Sequence, residues 1–506
     1  MKDKRTQRAK LNMITNIINQ LVSTLCGILI PQAMIGAFGS AVYGATTSIS
    51  QFLSYVTLLE SGIGSVARAE LYKPLAEKDN HRVSAIYQAL KRFFGKIGIV
   101  FIIYILVIAY FYNDIANVTV FSRQYSFWLV CIIGLSSAVD YMCGISNQMF
   151  ITADQKKYVV NTAITVVRLL NTVLTLILVN SGTDVLLVKL VSSIVIIIRP
   201  VFLSLYVKKS YTLPKVNKKE AVLKQKWTGL GQNFAYFIHS NTDIVVLTLF
   251  SDLKIVAVYS VYYLVVFSVR NIVFSFAGGM ESELGDMIAK NENGKLISTY
   301  RRYQCIINTI ALILFGSTAV LIVPFVQLYT AGVSDADYTQ PAFAMLFVMA
   351  EAFNCISLAC STLPISANRL RQTQWGAFGE ALINIVLSCI LIQFNPLLGV
   401  IVGSLAAEVF KFVFYGVYAA KHILKTPVFK ELMRQAVVLF VLFIIAFVGV
   451  NLFDNNSISN YFEWALIACC TVVVITGIAL LVGMILYPKE LKSLIKAVKN
   501  KITHRK

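Results

Sequence analysis

Two arginines lie deep inside long apolar runs, where they could bind an anionic group. Arg168 and Arg270 are each surrounded by apolar residues on both sides in the sequence. A charge within a membrane span is costly unless it is paired or hydrated, so such a residue is a candidate for function. A guanidinium takes phosphate oxygens bidentately. We therefore predict both arginines as substrate-binding residues that line an aqueous cavity, with a structural ion pair as the alternative.

A histidine and an aspartate suggest a second kind of chemistry. His239 and Asp243 are four residues apart, one helical turn, within another apolar run. Such a pair could bind a coupling cation or relay a proton, and we predict both residues for ion coupling. A packed hydrogen-bonded pair is the alternative.

Other ionisable residues within apolar runs have structural explanations. Glu408 and Lys411 are three apart, so they can neutralise each other on one helix. Arg199 lies closer to a span end, and its side chain is expected to extend to the membrane surface. Glu60 lies near the inner end of its span. Three further acids have no evident partner nearby in the sequence: Asp140, Glu351 and Glu380.

The apolar runs themselves predict the fold class. Hydrophobic residues make up 57% of the 506 residues and charged residues only 14%, whereas soluble domains carry about 25% charged residues. This composition excludes a soluble enzyme and a secreted disulfide scaffold. The runs are about 20 residues long, enough to span a membrane as helices. We predict an all-α polytopic membrane protein with about 14 transmembrane helices, at 11–30, 44–66, 97–113, 125–151, 159–180, 184–206, 229–250, 255–278, 304–330, 340–364, 374–394, 397–420, 433–453 and 461–487.

The positive charge alternates between successive loops. The net charge is +20, and the segments on one side of the predicted membrane hold 38 of the 45 lysine and arginine residues. Positive loops are retained in the cytoplasm, so both termini are predicted to be cytoplasmic and the protein to lie in the cell membrane. The charge is thus a topology signal, and nucleic-acid binding is not predicted.

The sequence offers no evidence of catalysis or of a cofactor. The outer loops are too short for a catalytic domain, and no phosphate-binding G-x-x-x-x-G-K-[ST] motif occurs. The nine cysteines all fall within apolar runs without metal-ligand spacing, which is typical of small buried residues. We predict a protein that is not an enzyme and binds no metal or cofactor.

An internal repeat divides the chain. Ala41–Gly44 and Ala257–Ser260 match at an offset of 216 residues, and each opens a predicted span. Six helices separate the two, so the repeats are predicted to be parallel, one of the established transporter plans. The predicted domains are an N-terminal six-helix lobe at 1–206, a basic cytoplasmic linker at 207–228, a C-terminal six-helix lobe at 229–420, and two extra helices with a basic tail at 421–506.

The helices before the repeated segments each carry a polar stripe. On the first span, Asn12, Asn16, Asn19 and Gln20 recur at three- and four-residue steps and so share one helical face. Of these, Asn16 and Gln20 correspond by the repeat to Gln232 and Tyr236 on the seventh span. Polar side chains facing lipid lose hydrogen bonds to water without replacement. We predict that the four residues matched by the repeat face inward and bind substrate, the alternative being that the stripes hold helices together within a lobe.

Four segments resemble a known family: Gly39–Gly44, Leu58–Gly64, Asp243–Leu247 and Ala381–Ser388. They are similar to segments of the O-antigen and polysaccharide flippases, a Wzx-like family of the multidrug/oligosaccharidyl-lipid/polysaccharide (MOP) transporter superfamily. The resemblance covers essentially the whole chain. It implies a flippase that moves undecaprenyl-pyrophosphate-linked oligosaccharide from the inner to the outer leaflet by alternating access, for cell-surface polysaccharide synthesis. It also implies membrane lipids and polysaccharide polymerases as partners. The alternative is a multidrug or small-metabolite exporter coupled to a cation gradient.

Overall fold

The chain is a succession of α-helices. A computed structural model describes residues 2–60, 63–214, 216, 230–277, 280–452, 458 and 460–503, and no strand occurs among them. The helices are α1 (Lys2–Phe38), α2 (Ser40–Ser54), α3 (Ile63–Glu77), α4 (Asn80–Ile115), α5 (Arg123–Val139), α6 (Ile145–Ala153), α7 (Lys157–Asn180), α8 (Val185–Ser210), α9 (Leu230–Phe250), α10 (Leu253–Ala277), α11 (Met280–Ala289), α12 (Asn293–Tyr329), α13 (Pro341–Ser366), α14 (Leu370–Leu391), α15 (Pro396–Tyr418), α16 (Val428–Leu452), α17 (Tyr461–Leu486) and α18 (Pro488–Thr503).

The helices confirm the predicted fold class, an all-α polytopic membrane protein. Within the described ranges, twelve helical segments are long and apolar enough to cross a membrane. The two other predicted spans correspond to α9, whose described apolar part is Phe234–Phe250, and to α2. Apolar side chains on α17 are widely exposed, as expected for a surface that faces lipid.

The second predicted span is not one continuous α-helix. α2 ends at Ser54, and the chain then forms a 3₁₀ turn over Tyr55–Leu59. The hydroxyls of Ser54 and Thr57 each donate to a carbonyl three residues earlier, at 2.7 Å. Such back-bonding competes with the regular helical pattern and bends helices. The predicted continuous span over 44–66 was therefore wrong in this respect.

Two predicted cytoplasmic loops are largely helical. α4 begins at Asn80, well before the predicted start at 97, and α12 begins at Asn293 rather than 304. The side chain of Asp79 accepts a 2.9 Å hydrogen bond from the Arg82 amide, which caps the start of α4. Hydrophobicity locates only the apolar part of such helices, so the predicted spans began too late along the chain.

The helices fall into two compact units. The first comprises Met1–Phe234 with Asp252–Ala257, and the second Ala235–Ser251 with Val258–Lys506. In the first unit, α1 packs along α7, α4 along α5, and α8 against both α5 and α7. The Tyr112 hydroxyl donates to the Ala45 carbonyl at 3.1 Å within this core. A π-helical turn over Asp140–Gly144 joins α5 to α6.

The second unit is organised around α13, which packs against α11, α12, α15 and α16. Its tightest helix pair is α14 with α15, where two glycines allow the backbones to approach. A Cβ on Gly399 would overlap the Leu391 backbone, and one on Gly403 would lie 2.8 Å from the Ser388 amide nitrogen. Glycines four apart permit such close helix contacts in membranes. The polar residues that follow on α15 are thereby held against α14.

Candidate functional site

Four ionisable side chains of the second unit form what we call the charge cluster: His239 on α9, Glu380 on α14, and Glu408 and Lys411 on α15. The His239 Nε2 atom lies 2.9 Å from an oxygen of Glu408 and 3.4 Å from one of Glu380. The Lys411 Nζ atom lies 3.3 Å from a carboxylate oxygen of each glutamate. None of the four side chains is more than 10% exposed.

Each charge of the charge cluster needs the opposite charges of the cluster as partners. A buried carboxylate without a partner carries a large desolvation cost, and each glutamate here faces both the ammonium and the imidazole. With His239 protonated, two positive groups balance two negative ones. The predicted neutralisation of Glu408 by Lys411 is confirmed, but it is only one part of this larger arrangement.

Part of the cluster has the geometry of a cation site. One ligand atom each from His239, Glu380 and Glu408 lies within 4.8 Å of the other two. Imidazole and carboxylates are suitable ligands for several cations. The ammonium of Lys411 already supplies a positive charge to both carboxylates. A cation entering this site would therefore have to displace Lys411, or share the carboxylates with it.

The charge cluster is connected to Arg270 through α13. Lys411 donates to the Asn354 side-chain oxygen at 3.0 Å, and Asn354 donates to Glu351 at 3.1 Å. The other oxygen of Glu351 accepts from Arg270, also at 3.1 Å. The Arg270 guanidinium lies 4.3 Å from the ring centroid of Phe267 and is nearly buried. The structure thus places the predicted substrate-binding Arg270 in an ion pair, the alternative stated above.

Asp243 is held by a separate set of hydrogen bonds. Its carboxylate accepts from Tyr259 at 2.8 Å and from Ser404 at 2.9 Å. The Asn384 amide donates to Ser404 at 2.8 Å and reaches Asp243 at 3.5 Å. Among the described residues, no hydrogen bond joins Asp243 to His239. The two residues predicted for ion coupling, His239 and Asp243, therefore have different hydrogen-bond partners, although both line the cavity described next.

A small cavity separates these two groups of side chains. Its volume is about 30 Å³, and Asp243, Tyr259, His239, Glu351 and Arg270 are among the residues that line it. A buried water molecule needs a cavity volume of roughly 10–15 Å³, so this cavity can hold about two water molecules. It can hold an ion or a proton relay, but not a sugar or a pyrophosphate group.

The two other arginines belong to the first unit and differ from each other. Arg168, on α7, is partly exposed, and no described residue forms an ion pair with it. Arg199, on α8, lies 2.5 Å from Asp140. No partner for Arg199 was predicted from the sequence, because Asp140 is supplied by the turn between two other helices.

The polar stripe of α1 has one edge that packs against α7 and one edge that is exposed. Asn12 accepts from the Tyr158 amide at 2.7 Å, and Asn19 accepts from Thr165 at 3.3 Å, so these residues join α1 to the start of α7 and its first turns. Asn16 and Gln20 are instead exposed. On α9, Tyr236 is 48% exposed, whereas the side chain of Gln232 lies outside the described part of the chain.

Several site residues were not predicted for function from the sequence. Glu351 and Glu380 were recognised only as acids without a nearby partner. Asn354 lies three residues after Glu351, and Ser404 lies four before Glu408, so helical spacing alone places each on the face of a known acid. This helical spacing could have identified Asn354 and Ser404 from the sequence. It could not have shown which helix faces contact each other in the fold.

The fold is that of MOP superfamily transporters. No protein-family model and no curated protein sequence matches the chain. Among solved structures, the inward closed lipid II flippase MurJ has a TM-score of 0.68 and 13% identity, with 96% of this chain and 99% of that chain covered. An inward-facing MATE family multidrug resistance transporter has a TM-score of 0.57 and 11% identity, covering 86% and 98%. A MOP superfamily transporter from Pyrococcus furiosus, whose binding pocket is described as having reverse polarity, has a TM-score of 0.56 and 13% identity, covering 84% and 97%.

Proposed function

We propose that the protein is a flippase of the Wzx-like kind that moves lipid-linked oligosaccharide from the inner to the outer leaflet. A pyrophosphate and its sugars cannot enter hydrocarbon without losing their hydration, whereas the lipid tail can stay in the bilayer. The protein must therefore supply a polar environment within its membrane helices. The wider match to a lipid II flippase, 96% of the chain against 86% for a multidrug transporter, favours a lipid-linked substrate.

The observation that carries the proposal is the state of Arg168. Its guanidinium lies on a membrane-spanning helix, is partly exposed, and has no ion-pair partner among the described residues. Arg270, in contrast, is already neutralised by Glu351. An arginine without a carboxylate has its donors available for phosphate oxygens. Arg168 is thus the better candidate for the pyrophosphate, and Arg270 serves the network of the second unit.

Ion coupling is assigned to the second unit. The cavity beside Asp243 and His239 has the size of an ion or of two waters, and carboxylates line it. Protonation, or entry of a cation, would change the charge balance that holds Lys411 between Glu380 and Glu408. A change in these contacts between α9, α14 and α15 is a physical route from ion binding to movement of a lobe, as alternating access requires.

A cation-coupled exporter of drugs or small metabolites is the second candidate. The observation behind it is that His239, Glu380 and Glu408 present ligand atoms within 4.8 Å of one another, a site for the coupling cation that such an exporter needs. This geometry suits a coupling ion in either type of transporter. The cation site therefore does not distinguish the two types of transporter, and only the identity of the transported substrate can.

Deletion in the native host, followed by analysis of the lipid-linked sugars, tests the proposal. We expect undecaprenyl-linked oligosaccharide to accumulate on the inner leaflet, and wild-type protein to reverse this. Arg168→Ala should fail to reverse it, while the matched Arg123→Ala should succeed, because Arg123 forms an exposed pair with Asp114. If lipid-linked sugars are unchanged but export of organic cations falls, the protein is an exporter of the second kind.

A further inference from the structure

The first unit contains a cavity large enough for a small molecule. Its volume is about 380 Å³, within the range of roughly 300–1,000 Å³ that is typical of ligand sites. Polar groups from α5, α6, α8 and the turn after α2 line it, including Thr57, Glu60, Asp140, Gln148 and Arg199. None of these residues has been assigned a role in the proposed transport cycle.

The ion pair in the cavity wall leaves one acceptor and one donor unused. Arg199 Nη2 donates to Asp140 Oδ2. The second oxygen of Asp140 and the Nε atom of Arg199 are buried and have no hydrogen-bond partner among the described residues. The side chains of Asp140 and Arg199 as a whole remain 19% and 22% exposed, so a molecule in the cavity can contact the ion pair through its exposed atoms and reaches the two buried atoms only if the side chains move. Buried polar atoms without partners are rare and call for an explanation.

The backbone is shaped to hold Asp140 in this position. Asp140 begins the π-helical turn that ends at Gly144, and such turns are frequent at functional sites. A Cβ on Gly144 would overlap the Asp140 carboxylate and lie 2.9 Å from the Cβ of Pro200, the residue after Arg199. Glycine at this position therefore allows the carboxylate to sit between the turn and α8.

The charges of the wall restrict the ligand. A phosphate would approach the carboxylates of Glu60 and Asp140, and a bare metal ion would approach the guanidinium of Arg199. A hydroxyl group both donates and accepts, so neighbouring hydroxyls can donate to the carboxylates of this wall and accept from the Arg199 guanidinium together. Thr57 and Gln148 offer further groups of both kinds. Neutral molecules with several hydroxyls match this wall best.

We infer that the cavity of the first unit binds one sugar ring of the substrate, with Asp140 and Arg199 as its principal hydrogen-bonding pair. This inference rests on the proposed function, since it names the part of a lipid-linked oligosaccharide that the first unit recognises. It separates sugar recognition at Asp140 and Arg199 from pyrophosphate binding at Arg168.

Saturation-transfer NMR on the full-length protein in nanodiscs tests the site directly. The probes are the methyl glycosides of glucose, galactose, mannose and N-acetylglucosamine. We expect transfer to the ring protons of at least one probe, reduced at least fivefold in Asp140→Asn and in Gly144→Ala. Gly95→Ala is the matched control in the same unit, because a Cβ there would meet nothing within 4 Å. Thermal melting of each variant identifies any that fails to fold, and Asp140→Asn, which conserves shape, then decides.

Three results would overturn the site: no transfer from any probe, equal transfer in Asp140→Asn and the wild type, or loss of the signal to tetramethylammonium competition. The deletion experiment separates this test from that of the proposed function. If lipid-linked sugar accumulates in the deletion host but sugar binding is unchanged in Asp140→Asn, the flippase proposal stands and the sugar site is rejected. Binding that depends on Asp140, without accumulation in the deletion host, would retain the site and reject the flippase.

Discussion

The ammonium nitrogen of Lys411 lies 3.3 Å from a carboxylate oxygen of Glu380, although the two residues belong to different helices. It lies equally close to Glu408, one turn earlier on its own helix. Lys411 therefore acts as a fixed cation between two buried acids and ties α14 to α15. In the proposed mechanism, stability and ion coupling both depend on this nitrogen atom, which makes this contact the most informative one to break.

Lys411→Met should destabilise the protein by about 3–5 kcal/mol, the usual effect of leaving buried charges without their partner. Unfolding of the purified protein in detergent, followed by intrinsic fluorescence, measures the change. Lys290→Met is the matched control, since Lys290 and Asp286 form an exposed pair, each side chain 60% exposed, and water screens the attraction between exposed charges, so this substitution should leave the free energy of unfolding nearly unchanged. Equal effects of the two substitutions would contradict the buried role of Lys411.

Arg270 and Glu351 should behave as a coupled pair. Arg270→Met and Glu351→Gln each leave one buried polar partner unmatched, so each should lower the free energy of unfolding by about 3–5 kcal/mol. The double variant should lose clearly less than the sum, because neither charge then remains alone. A complete double-mutant cycle of unfolding measures this. Additive losses would mean that the 3.1 Å ion pair contributes little.

Much of the fold could be predicted from the sequence, because apolar length and loop charge are local properties. The same is true of Glu408 with Lys411, whose spacing on one helix fixes their proximity. The partners of Asp140 and Glu351 could not be predicted, since Arg199 and Arg270 come from other helices and no periodicity specifies which faces meet. The break in α2 and the π-helical turn at Asp140 are likewise set by side-chain hydrogen bonding and packing, which hydrophobicity does not record.

Arg168 should be required for transport but not for folding. Because no described residue forms an ion pair with it, Arg168→Ala leaves no buried carboxylate behind, and the melting temperature should stay close to that of the wild type. Transport of lipid-linked oligosaccharide in proteoliposomes should fall at least tenfold. Arg168→Lys should restore only part of it, since the bidentate fork is lost. Full transport by Arg168→Ala would remove this residue from the substrate site.

The orientation predicted from loop charge is tested by thiol labelling. In a cysteine-free background, a cysteine at the exposed Ser334 should react with an impermeant maleimide in intact cells. A cysteine at Lys290, also exposed, should react only after the cells are permeabilised. The reverse pattern would place both termini outside the cytoplasm.

The packed and exposed edges of the polar stripe on α1 should respond differently to thiol reagents. Asn12 and Asn19 contact residues of α7 and its start, which supports the packing alternative for part of the stripe. Asn16 and Gln20 are exposed, as is Ile18, whose side chain is 47% exposed. Exposure to lipid and exposure to water are distinguished by a small charged methanethiosulfonate reagent, because a cysteine thiol in hydrocarbon rarely ionises to the reactive thiolate and the charged reagent does not enter the hydrocarbon.

Cysteines at Asn16 and Gln20 should therefore react quickly, and a cysteine at Ile18 slowly, although all three are exposed. Tyr236 on α9 should behave like Asn16, whereas Val245 should not. Reaction rates followed by gel shift measure the difference, which we expect to be at least tenfold. Rocking of a lobe should also make the rates at Asn16 and Gln20 depend on substrate or on the ion gradient. Equal rates at Gln20 and Ile18 would show that this face of α1 meets lipid, and the substrate path would then have to be lined by other helices.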